Sequence, residues 1–87
     1  VVELLESKGI RVLEIPLHDD FSGMSTWVNG GIPVIVVNKT LDVPEQLHRK
    51  RFTVLHELGH LLLKFPEGLE EKQEEKLCDV FAGALLL

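Results

Sequence analysis

The chain has 87 residues, with 45% hydrophobic and 26% charged side chains and a formal net charge of −5. That length holds one domain at most, and a core so small is helped by a bound metal. The composition is that of a soluble globular protein, and the acidity argues against a general nucleic-acid-binding surface. The single cysteine, Cys78, excludes an internal disulfide and fits a reducing compartment such as the cytoplasm, and no apolar run reaches the length of a membrane span.

Residues 1–8 read as the end of an amphipathic helix, with Gly9 placed to stop it. Residues 10–15 have a partly alternating strand pattern closed by Pro16. Residues 17–23, which carry His18, Asp19, Asp20 and Gly23, read as a loop. Residues 24–29 alternate well enough for a second strand, Gly30-Gly31 signals a tight turn, and residues 32–37 form the strongest strand, ending at Asn38. Together 24–38 read as a hairpin. Pro33 must then sit at a strand start or an edge, because it cannot donate to a ladder. Met24 and Trp27 could line a groove, but core packing is the better expectation for both.

From Pro44 the pattern becomes helical. Pro44 suits a first turn and Glu45 favours a helix N-terminus, so a helix is expected over about 45–64, with continuation forbidden by Pro66. After a connection over 66–70, a last helix is expected over about 70–87, with Leu77, Val80, Phe81 and Leu85 as its apolar face. The chain opens on Val1 and closes on Ala84-Leu85-Leu86-Leu87, so residues 1–87 read as a single domain cut from a longer protein.

Residues 56–60 read His-Glu-Leu-Gly-His. Residues four apart lie on one face of a helix, so His56 and His60 can point at one ion, and this spacing is the signature of zinc-dependent peptidases. Neutral imidazole suits Zn²⁺. Glu57 sits one position further round, where it can reach the attacking water as general base without being a ligand. The plainer alternatives are a core histidine bonded to a carbonyl and a solvated glutamate. The acidic run Glu70, Glu71, Glu74, Glu75 offers third ligands. Glu71, Glu75 and Asp79 share one helix stripe, so periodicity leaves Glu71 and Glu75 both open. Asp79 could accept a hydrogen bond from a ligand histidine, or be a surface aspartate. Peptide hydrolysis also needs a donor for the developing oxyanion. The chain has no tyrosine, and the available donors His18, His48 and Arg51 each read first as structural or exposed side chains. Cys78, close to the third-ligand region, reads as a small buried thiol.

The run Arg51-Phe52-Thr53-Val54-Leu55-His56-Glu57-Leu58-Gly59-His60-Leu61-Leu62-Leu63 resembles the ImmA/IrrE-type metallopeptidases. So does Glu75-Lys76-Leu77-Cys78-Asp79-Val80-Phe81-Ala82-Gly83-Ala84-Leu85-Leu86, where the family commonly reads E-x-x-A-[ND]-x-F-A-x-x-L-L. Gly9-Ile10, Pro16-Leu17, Gly23-Met24-Ser25 and Ile35-Val36-Val37-Asn38 are similar as well. Cys78 stands where the family usually has alanine, a small-for-small change. The resemblance implies an α+β, zincin-like minimal domain, with a short sheet or hairpin packed on the active-site helix and the helix after it. It selects Glu75 as the third zinc ligand beside His56 and His60, with Glu57 as catalytic base and Asp79 behind a ligand histidine. It implies a zinc metallopeptidase that cuts a regulatory protein such as a helix-turn-helix repressor, in bacterial or mobile-element regulation. The alternative is a non-catalytic metal-binding sensor or interaction domain that keeps the fold. A purely structural zinc site fits less well, because three protein ligands leave an open position. On each reading the partner is a protein, not a nucleic acid or a membrane.

Overall fold

The β-branched run Val34-Ile35-Val36-Val37 sets the centre of the fold, because such side chains pack well on a pleated surface. In the computed structural model this run lies in the middle strand of a three-stranded sheet, with Ile35 and Val37 wholly buried. The structure describes residues 2–18, 21–41 and 43–86. Val1, Asp19, Asp20 and Leu87, which the expected end helices and loop include, lie outside the described residues.

Helix α1 (Val2–Ser7) leads into β1 (Arg11–Ile15), followed by β2 (Gly23–Val28) and β3 (Ile32–Asn38). The sheet order is β1-β3-β2, with β2 antiparallel and β1 parallel to β3. The expected hairpin is therefore present. Its turn uses positive φ at Asn29, Gly30 and Gly31 (23°, 81° and 90°), conformations that asparagine tolerates and glycine adopts freely. Pro33 stands second in β3, consistent with the expected strand start.

Two short 3-10 turns, Lys39–Leu41 and Pro44–Gln46, lead into α2 (Leu47–Leu62), and α3 (Glu71–Leu86) closes the described chain. The expected helix over 45–64 is thus shorter at both ends. Gln46 (φ −109°, ψ 5°) breaks the register at the start. At the other end Pro66 has no N–H to offer the Leu62 carbonyl, and Leu63 is already extended. α2 lies on the sheet through Val54, Leu55 and Leu58, and Leu5, Ile10, Leu41 and Ala82 complete the core.

Two packing expectations are corrected. The apolar face expected on the last helix is largely exposed: Leu77, Val80 and Leu85 point outward, and only Phe81 is half-buried. α3 instead buries Cys78 and Ala82 against α2. A hypothetical Cβ on Gly59 would meet Cys78 Sγ at 3.3 Å and Phe81 Cδ2 at 3.2 Å, so the helices touch across small side chains. Met24 and Trp27 are also exposed, at 45% and 55%, because β2 is an edge strand whose outer side no described element covers. No described helix is long and apolar enough to cross a membrane.

Asn38 holds the loop between β1 and β2. Its side chain is 2% exposed and bonds the backbone at five places: Oδ1 accepts from the Leu17 and Thr40 N–H groups, and Nδ2 faces the carbonyls of Leu17, His18 and Phe21. Truncation would leave buried donors and acceptors unpaired, each costing about 1–3 kcal/mol. Asn38→Ala is therefore expected to lose about 3 kcal/mol or more of stability, read as a Tm more than about 10 °C lower by thermal unfolding. An unchanged Tm would remove this anchor from the account.

Candidate metal centre

The centre lies where α2, α3 and β2 meet. His56 and His60 are one turn apart on α2, their rings 5.0 Å apart in an edge-to-face arrangement. The close crossing at Gly59 brings α3 near enough for Glu75 to reach both. Glu75 Oε2 lies 2.6 Å from His56 Nε2 and 3.0 Å from His60 Nε2. His56 Nδ1 lies 2.7 Å from Asp79 Oδ1. Glu71, the open alternative to Glu75, is exposed one turn back.

These contacts test whether the donor set suits a metal. A carboxylate stands at each His56 ring nitrogen; with the proton on Nδ1, bonded to Asp79, Nε2 would present its lone pair. Glu75 Oε2 is an acceptor as well. Two acceptors 2.6 Å apart need a positive centre between them, either a proton or a cation. The His60 Nε2 converges on the same oxygen. Two imidazoles and a carboxylate aimed at one point fit a borderline metal ion such as zinc. The surrounding charge favours a cation too, since Glu57, Glu75 and Asp79 all cluster here. Burial pushes the Glu75 carboxyl upward, but hydrogen bonds with His60 and His56 and their charge outweigh it, so its pKa falls below the usual glutamate value.

Cys78 is a rival third donor. Ligand atoms of His56, His60 and Cys78 lie within 4.8 Å of one another. The thiol is wholly buried, and burial together with the charges of Glu75, Glu57 and Asp79 pushes its pKa up to about 11. The Cys78 thiol is packed against Gly59, whereas the Glu75 carboxylate already contacts both rings. Glu75 Oε2, at 2.6 and 3.0 Å from the two Nε2 atoms, is the candidate third donor already in contact with both rings.

Glu57 does not join the converging atoms. It lines a cleft of about 410 Å³ with Ser25, Thr26, Trp27, His60 and Glu75, and its Oε1 accepts a hydrogen bond from Ser25 Oγ at 2.8 Å. Glu57 also lines a smaller hollow of about 260 Å³, with Arg49, Phe52 and His56. Of the available donors, each read from the sequence first as structural or exposed, Arg51 lines a different groove, with Glu3 and Glu14. Arg49, which the sequence reading passed over, is the cation in the wall of this hollow, and it donates to Ser22 Oγ. Its position seven residues before His56, two turns along one helix face, was the available signal. For Ser25 the sequence carries no signal beyond its place in the Gly23-Met24-Ser25 stretch.

Asp79 gives a direct test of the arrangement. Losing a partner of this kind lowers metal affinity by about 10–100-fold. The Asp79 side chain is 56% exposed, so Asp79→Ala is expected near the lower end, about tenfold, in calorimetric zinc titration. Unchanged affinity would leave Asp79 as a surface aspartate.

A sheet-backed helix carrying two converging histidines, with a carboxylate from the next helix, defines a metallopeptidase-type domain. The family whose sequence profile matches is Peptidase_M78, the IrrE N-terminal-like domain, over residues 5–87, and the chain belongs to it. No curated protein and no solved structure gives a significant match.

Proposed function

We propose that this domain is a zinc-dependent peptidase in which His56, His60 and Glu75 hold the metal, Glu57 is the general base and Asp79 orients His56. The observation that carries the reading is the convergence of both Nε2 atoms on one Glu75 oxygen, with the Glu57 carboxylate beside it in an open cleft. Zinc bound there would supply a Lewis acid that polarises the scissile carbonyl and acidifies the attacking water. Glu57 takes the proton from that water and can return it to the leaving amine. Asp79 keeps the His56 ring in the tautomer that offers Nε2. The cleft beside β2 receives the peptide.

The substrate class follows the family resemblance: a regulatory protein such as a helix-turn-helix repressor, cut in the cytoplasm to change gene expression in a bacterium or mobile element. The experiment incubates the full-length protein with the repressor encoded beside its gene. Cleavage should stop with a chelator and return when zinc is added. Zinc-loaded protein that binds the repressor and releases it uncut would instead make this a metal-binding interaction domain.

A further inference from the structure

Two spacings match across the seam between β2 and α2. Residues two apart on one strand face are about 6.6 Å apart. Residues four apart on one helix face are about 6.0 Å apart. Gly23 sits against Thr53: a Cβ on Gly23 would stand 2.9 Å from Thr53 Cγ2 and 2.6 Å from the Val36 carbonyl oxygen. The strand thus approaches the helix more closely than a side chain would allow. The next position on that strand face is Ser25, and the next on that helix face is Glu57. There the Ser25 hydroxyl donates to Glu57 Oε1 at 2.8 Å.

Ser25 is not placed there by packing needs. It stands opposite Ile35, which is wholly buried on the sheet face that meets α2. An apolar side chain would suit that face at least as well. Among the described residues, the Ser25 hydroxyl is the hydrogen-bond partner of the Glu57 carboxylate, and Oε2 has none. One oxygen is held and the other is left for chemistry.

We infer that Ser25 is a positioning residue for the Glu57 base, and that the missing side chain at Gly23 sets the strand-to-helix distance that lets its hydroxyl reach. The inference rests on the hydrolytic reading above, in which Glu57 takes the proton. Ser25 acts through Glu57 and touches no reacting atom. A hydrogen bond to a charged group is worth about 10- to 100-fold when expressed as a rate.

The test compares Ser25→Thr with Ser25→Val in the zinc-loaded full-length protein, using the neighbouring repressor as substrate. The two side chains have nearly one shape and differ in the hydroxyl. Ser25→Val should lower kcat by about 10- to 100-fold at unchanged KM and zinc content, whereas Ser25→Thr should keep most of the activity. Adding Ser25→Val to Glu57→Gln should cost nothing more, which a merely structural role would not produce. Ser25→Ala serves if the branched side chains do not fold. Equal kcat for the threonine and valine variants, or a change in KM alone, overturns the inference. If zinc-loaded wild type cuts nothing, the hydrolytic reading has failed, and crystal structures decide on Ser25. A displaced or split Glu57 carboxylate in Ser25→Val supports it, and an unmoved one overturns it.

Discussion

Glu57→Gln is expected to keep its zinc and to lose turnover by about 10²–10⁴-fold. Glutamine preserves the size of the side chain and can still accept from Ser25 Oγ, which now donates to Glu57 Oε1. It cannot take a proton from water. Glu57 lies outside the convergence of His56, His60 and Glu75, so metal affinity should not follow activity. The measurement pairs single-turnover cleavage with metal content on the same preparation. Full activity in Glu57→Gln would remove the base from the mechanism. Lost activity together with lost metal would make Glu57 part of the binding site instead.

The second large effect is on stability. An ion that binds only the folded chain stabilises it by about 4 kcal/mol when free metal stands about a thousandfold above Kd. In a domain this small that raises Tm by well over about 10 °C. Wild type should show this shift on adding zinc, and His60→Ala should lose most of it, because a ligand reaching Glu75 Oε2 is gone. Without metal the two proteins should differ by no more than about 1 kcal/mol, since the His60 side chain is 26% exposed at the cleft and its polar contact is with Glu75. A zinc-induced shift of equal size in His60→Ala would place the metal elsewhere.

What could be read from the sequence was what is local. Helical periodicity puts His56 and His60 on one face with Glu57 one position further round, and puts Glu71, Glu75 and Asp79 on one stripe of the next helix; Glu75 was singled out only by the family resemblance. The hairpin was legible from its turn, where Asn29, Gly30 and Gly31 accept positive φ. What joins distant segments was not legible. The parallel pairing of β1 with β3 depends on hydrogen bonds that no periodicity encodes. The Ser25–Glu57 bond spans 32 positions in the chain. The buried side of α3 was misassigned because its largest apolar residues drew the expectation. The contact with α2 selects small ones instead, since Gly59 lets the two backbones come close and Cys78 and Ala82 fill the gap. Met24 and Trp27 were expected inside on hydrophobicity alone, and the position of β2 at the sheet edge leaves them beside the cleft.

The most direct test is the ligand list of the metal itself, from anomalous diffraction at the zinc edge on crystals of zinc-loaded protein. A single strong peak is expected, bonded to His56 Nε2, His60 Nε2 and a Glu75 carboxylate oxygen, with Asp79 on His56 Nδ1 and a coordination position open toward the cleft that Glu57 lines. A peak bonded to Cys78 Sγ in place of Glu75, or a closed four-ligand shell, or no peak between the two histidines, would contradict it.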